Sequence, residues 1–218
     1  MEKKPTLLLT LLLSLATILG IAYGIPTSPD SLEKWFKTGY PVKESVTRLQ
    51  FYVRDVFSPP PPTNIVVAGA NSTSSSPTSF GLVAVLDDPV TIGPEPDSKI
   101  IGRAQGIIVF SSLEETSLHM SLTIVFTDGK YNSSTISFVG RNAYLTKLRQ
   151  ISIVGGTGAF ALARGVTFIN TVSSDSSGNA VFLYDSVVLH FEVPNRHDEG
   201  QGADDLGRVF KNMLHVMY

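Results

Sequence analysis

Between Leu49 and Val193 large apolar side chains recur at every second position in a series of short runs. The runs cover 49–56, 80–86, 103–110, 118–126, 135–139, 151–154, 160–170 and 180–193. A period of two is that of a strand presenting one apolar face. The breaks carry Pro, Gly, Asn, Asp and Ser, residues that favour turn geometries. No run before Pro194 sustains the 3.6-residue period of a helix. Many short strands at this spacing predict an all-β sandwich or a closed antiparallel barrel, and the pattern alone leaves both open. Residues 25–48 show no clean period and read as an N-terminal arm. After Pro194 a charged stretch leads to Leu206, Val209, Phe210, Met213, Leu214 and Met217, one apolar stripe of a helix, so 194–218 reads as a linker and an amphipathic helix.

The stretch ISIVGGTGAFALARG, from Ile151 to Gly165, resembles the start of a dinucleotide-binding unit. Such a unit needs a helix directly after its glycines, so that the helix N-terminus meets the pyrophosphate. Here Phe160, Leu162, Arg164, Val166 and Phe168 alternate with Ala161, Ala163, Gly165 and Thr167, which is strand periodicity. The glycines therefore read as a strand-to-strand turn. SPPPP, from Ser58 to Pro62, favours an extended polyproline conformation and reads as a stiff loop after the first strand.

Composition narrows the setting. Basic Lys3 and Lys4, an uncharged apolar run over 7–22 and small residues at Ala22 and Gly24 read as a secretory signal peptide over 1–24. Its removal takes away Glu2, Lys3 and Lys4 and moves the formal net charge from −2 to −3. No basic surplus is left to neutralise a phosphate backbone, which argues against nucleic acid. The chain has no cysteine, so a secreted domain must hold together by its core. Asn71-Ser72-Thr73 and Asn132-Ser133-Ser134 are N-glycosylation sequons in polar stretches, and the expected address is extracellular with no membrane attachment after cleavage.

Stock catalytic motifs are missing, and His119, His190, His197 and His215 lack ligand spacing, so neither a metal nor a cofactor is expected. The unusual feature is charge on apolar strand faces. Asp55 shares parity with Leu49, Phe51 and Val53; Asp185 with Val181, Leu183, Val187 and Leu189; Arg164 with Phe160, Leu162, Val166 and Phe168. If those faces line one interior, two carboxyls and a guanidinium project into an apolar lumen. Such groups pair, shift pKa or serve a ligand, and a desolvated carboxyl keeps its proton for general-acid work. The alternatives are a structural Asp–Arg pair and an apolar face turned outward into a subunit interface.

FYVRDV, FGLVAVLDDPVT, GRAQGIIVFSSLEE, VFTDGKYNSSTISFVGRN and ISIVGGTGAFALARG occur in that order. A chain carrying them resembles the plant dirigent proteins across 49–193. The resemblance implies an eight-stranded antiparallel β-barrel of the dirigent and allene oxide cyclase type, secreted, glycosylated and homo-oligomeric, as a trimer or a dimer. It implies guidance of two monolignol radicals to one lignan enantiomer, the radicals coming from a separate laccase or peroxidase. About 1.4 kcal/mol of orientational preference is already tenfold in product ratio. By motif, Asp55 matches the family's first-strand aspartate, a proposed acid, with Arg54 replacing the histidine before it. Arg141 falls in GRN where lignan-forming members read GAD, wording closer to the branch that contains pterocarpan synthases, which dehydrate an isoflavanol through a quinone methide. Ile107 stands where many members carry an aromatic, and Ala159 where an aspartate is frequent.

The expected functions are, in order, stereodirected coupling of monolignol radicals in the apoplast, a pterocarpan synthase-like dehydratase and cyclase, and a wall-associated defence protein without turnover. Candidate site residues are Asp55, Arg141, Asp185 and Arg164. Expected partners are small aromatic phenols or their radicals, a separate laccase or peroxidase, and further copies of the chain.

Overall fold

The computed structural model describes residues 44–57 and 61–191, together with positions 29, 30, 33 and 37. The predicted signal peptide and tail helix, and residues 58–60 of the proline run, lie outside the described residues. Nine strands follow one another: β1 (Glu44–Asp55), β2 (Asn64–Ala68), β3 (Val83–Thr91), β4 (Ile100–Phe110), β5 (Leu118–Phe126), β6 (Thr135–Asn142), β7 (Arg149–Thr157), β8 (Arg164–Ser174) and β9 (Ala180–Phe191). They form one antiparallel sheet in the order β1-β9-β8-β7-β6-β5-β4-β3-β2, which closes because β1 also pairs with β3. The result is the eight-stranded barrel implied by the family resemblance. The ninth strand, β2, pairs with the same β3 that β1 pairs with, farther along it.

Seven of the eight predicted runs differ from the observed strands only at their ends, and 118–126 coincides with β5. β1 begins at Glu44, inside the predicted arm. β2 was not predicted, because NIVVA is short and its apolar residues do not alternate: Ile65, Val66 and Val67 are all exposed.

The interior is apolar and aromatic. Phe51 stacks on Tyr184 with ring centroids 5.5 Å apart and planes 18° apart, and Phe138 meets Tyr184 edge-on at 6.0 Å. Phe126, Tyr131 and Phe160 form a second cluster, in which Tyr131 and Phe160 approach to 4.7 Å. Such pairs add about 0.5–1.5 kcal/mol each beyond the area they bury.

The glycine-rich segment leads into no α-helix. Gly155 and Gly156 lie within β7, and the reversal is made by a short 3₁₀ turn, Gly158–Phe160, and the residues after it. Gly158 has φ +63 and Leu162 φ +58, so the chain twists out of strand geometry and β8 starts only at Arg164. Parity counted across this twist fails. Phe160 is buried, whereas Val166 is 37% exposed.

Gly165 is needed for close strand approach, since an added Cβ would lie 2.1 Å from the Val187 carbonyl oxygen, while at Gly155 it would meet nothing within 4 Å. Gly165→Ala is therefore expected to lower unfolding stability by about 1–3 kcal/mol, and Gly155→Ala to be close to neutral. Denaturant midpoints at unchanged slope check both, and equal losses at the two sites would contradict the steric assignment.

Candidate active site

The alternation of β1 turns Phe51 and Val53 inward and, two residues on, Asp55, at the point where the strand ends. β3 turns Ala84, Leu86, Asp88 and Val90 inward, and Asp88 is only 2% exposed. The link from β1 to β2 returns at Thr63 and Asn64. Thr63 N–H donates to the Val56 carbonyl at 2.8 Å, and the Thr63 carbonyl accepts from Asp87 N–H at 2.8 Å. This clamp brings two polar side chains to the two acids. Thr63 Oγ1 donates to Asp88 Oδ1 at 2.6 Å, and Asn64 Nδ2 donates to Asp55 Oδ2 at 3.2 Å. Asp55 Oδ1 and Asn64 Oδ1 are buried without a hydrogen-bond partner.

Burial is the main cause that pushes the Asp55 carboxyl up to about 6, with Asn64 opposing it. Burial also pushes Asp88 up to about 8, aided by the charge of Asp55 and opposed by the Thr63 hydroxyl. The phenol of Tyr184, enclosed in the same interior, is raised by burial and by both carboxylates.

Two further inward residues stand at the ends of their strands. Arg149, 3% exposed, begins β7. Its guanidinium donates to the Tyr144 carbonyl at 2.9 Å, the Thr171 hydroxyl at 2.9 Å and the Ile169 carbonyl at 3.3 Å, and lies 5.5 Å from the centre of the Phe182 ring. Among the described residues no carboxylate pairs with it. Asn142 ends β6 and spends its amide on Met120 Sδ at 2.9 Å, leaving Oδ1 buried and unpartnered. An open pocket of about 300 Å³ is lined by Asp55, Arg54, Val56, Ser173, Ala180 and Val181 among others. That volume is at the small end for organic ligands.

Asp55 points inward as its parity predicts, Asp185 and Arg164 stand on the outer face against theirs, and Arg141, a candidate by motif, is also on the outside. Asp185 lies on the outer face, with Oδ1 accepting from Arg48 Nε at 2.8 Å, and this arginine holds its carboxyl below the usual range. The inward residues of β9 are Tyr184, Ser186, Val188 and His190. Both faces of that strand are apolar, so alternation alone could not choose between them. Arg164 is exposed and pairs with Glu44 at 2.6 Å. Arg141 points outward to Glu115, and the inward residue of GRN is Asn142. The sequence reading missed Asp88, Asn64, Asn142, Arg149 and Tyr184. Asp88 shared parity with Ala84, Leu86 and Val90, and Arg149 with Ile151 and Ile153, so a signal for both was present. The sequon residues Asn71 and Asn132 are exposed.

The described residues thus form a closed barrel with an aromatic interior, two buried carboxyls and a guanidinium that has no carboxylate partner among them. The family model described as dirigent-like protein matches residues 46–189, and the chain belongs to the dirigent family. Dirigent protein 21 of Arabidopsis thaliana is 42% identical over 187 residues, 84% of this chain and 97% of that protein. Pterocarpan synthase 1 of Glycine max is 44% identical over 151 residues, 68% of this chain and 81% of that protein. The solved structure of the pterocarpan synthase dirigent protein GePTS1 is similar with a TM-score of 0.68 at 40% identity, covering 78% of this chain and 100% of that one.

Both inward carboxyls hold protons more tightly in the folded chain than in the unfolded one. Their ionisation therefore weakens the fold, with no cost near pH 4 and a growing cost as pH rises through about 6 and about 8. Asp88→Asn is expected to raise the melting temperature at pH 8.5 and to change it much less at pH 4. A melting difference independent of pH would show that Asp88 is not a desolvated acid.

Proposed function

We propose that the protein closes a ring on a phenolic substrate by acid-assisted loss of water through a quinone methide, as a pterocarpan synthase-like dehydratase and cyclase. The observation that carries this is Asp55, a carboxyl raised toward neutrality by burial, with one unpartnered oxygen, lining an open pocket beside an aromatic interior. Relatedness to pterocarpan synthases supports the choice of chemistry. Asp55 gives its proton to the leaving hydroxyl, the C–O bond breaks and water departs. A phenol conjugated to that carbon becomes the quinone methide carbonyl as its proton is released. A second phenolic hydroxyl then adds to the carbon, its proton restores the acid, and the quinone methide oxygen is reprotonated to a phenol. The balance is substrate to product plus water, with no oxidant. Arg149, a buried cation without a carboxylate, suits the negative charge that gathers on the phenolic oxygen.

The second reading is stereodirected coupling of monolignol radicals supplied by a laccase or peroxidase. Membership of the dirigent family and an interior rich in aromatic rings favour it. A wall protein without turnover is the third. Purified protein and an isoflavanol without oxidant separate them. Turnover is expected, and Asp55→Asn is expected to reduce it by about 10²–10⁴-fold with no loss of melting temperature. Lignan enantiomeric excess from coniferyl alcohol plus laccase, with no isoflavanol turnover, would replace the first reading by the second. Inactivity in both assays would leave the third.

We also propose that further copies of this chain cover the outer face of β8, β9 and β1. Val166 lies opposite Val187, and Leu189 lies between Arg164 and Val46, the latter 67% exposed. The Arg164–Glu44 and Arg48–Asp185 pairs frame this apolar face. A trimer is expected by light scattering, and Val187→Asp, on an exposed position, is expected to reduce the mass to that of a monomer. An unchanged mass in the variant would move the interface elsewhere.

A further inference from the structure

Asp88 is the most deeply buried carboxyl among the described residues, and the chemistry above gives it no part. Its position follows from barrel closure. The β1–β3 register pairs Tyr52 with Thr91 and Val53 with Val90. Carried two residues further, that register sets Asp55 opposite Asp88, where β1 leaves the ladder. Two carboxyls facing each other in an apolar interior do not readily ionise together.

The hydrogen bonds leave one oxygen of each acid free. Thr63 Oγ1 accepts from Val56 N–H at 3.1 Å, so its own proton goes to Asp88 Oδ1 at 2.6 Å, leaving Oδ2. Asn64 Nδ2 donates to Asp55 Oδ2, leaving Oδ1, the buried atom without a partner. One dipeptide, Thr63-Asn64, thus holds both acids in complementary orientations.

We propose that Asp88 is the proton reservoir of Asp55: the two carboxyls titrate as a linked pair, and a proton that Asp55 passes to its substrate is replaced from Asp88 Oδ2. The inference rests on the reading of Asp55 as an acid. Only O–H bonds change, from Asp88 to the Asp55 carboxylate and on to the leaving hydroxyl, and the proton released by ring closure reloads the pair. Asp88 acts through Asp55 and is a positioning residue. The other groups facing the pair are the Tyr184 phenol from β9, whose own neighbour is Arg149 of β7, and on the β3–β4 side Arg103 and Asp87. Arg103 and Asp87 are paired at 2.8 Å and act on Asp88 in opposite senses.

Burial raises both carboxyls and the charge of Asp55 raises Asp88 further, so the two acids lose their protons in linked steps that belong to the pair.

The test titrates ¹³C-carboxyl aspartate-labelled protein by NMR without substrate, and in parallel records the pH profile of isoflavanol turnover. In the wild type two linked steps are expected. Asp55→Asn is expected to lower the Asp88 step, because the like charge is gone. Thr63→Val is expected to raise it, because a hydrogen bond to the carboxylate is lost. In Asp88→Asn the midpoint of turnover, taken from that variant's own profile, is expected to fall below that of the wild type. An Asp88 step unmoved by Asp55→Asn, or the same turnover midpoint in Asp88→Asn and wild type, overturns the relay while leaving Asp55 as the acid. Linked titration without wild-type turnover overturns the acid reading, and the relay with it. If Asp88→Asn does not fold, the Asp55→Asn and Thr63→Val titrations decide.

Discussion

Pairing of β1 with β3 closes the sheet, and the character of the site follows from that contact. Closure removes the sheet edges and encloses the inner face away from water, so any ionisable group there loses its hydration. β1 and β2 share one edge of β3, and where β2 begins Thr63 and Asn64 hydrogen-bond the two carboxyls.

The interior is satisfied unevenly. Around Phe51, Tyr184 and Phe138 it is packed ring on ring, with the Tyr184 phenol enclosed among the rings. Near the ends of β1, β6 and β7 three side-chain oxygens, those of Asp55, Asn64 and Asn142, have no partner, and Arg149 has backbone carbonyls and a hydroxyl in place of a counter-ion. An unsatisfied buried polar atom costs about 1–3 kcal/mol. These three oxygens lie toward the end of the barrel at which β1 and β6 finish and β2 and β7 begin. The outer wall has the opposite arrangement, with charges paired as Arg164–Glu44, Arg48–Asp185 and Arg103–Asp87, and apolar residues left exposed between them.

Legibility in the sequence varied with the regularity of each strand. Asp55 was readable because β1 runs unbroken from Leu49 to Asp55 and has a polar outer face of Arg48, Gln50 and Arg54, so its apolar parity had one sensible direction. In β9 Val181, Leu183 and Val187 compete with Phe182, Tyr184 and Val188, and the shorter apolar set with serine turned out to be the inner one. In β8 the left-handed residue Leu162 separates Phe160 from Val166, and no count of two survives it. Asp87 and Asp88 are adjacent, and only the sheet shows which of them Arg103 takes on the outside.

What the chain determined by itself is where strands run and where they turn, since both depend on neighbours a few residues apart, and that an acid ends the first inward row. Its ordered motifs also carried the family. What only the tertiary structure decided is which face of a two-faced strand is enclosed, and that Asp55 meets Asp88. Alternation distinguishes two faces without naming the inner one. The inner face is named by closure, a contact between strands separated by the β2 excursion, and the same closure sets two carboxyls opposite each other out of water.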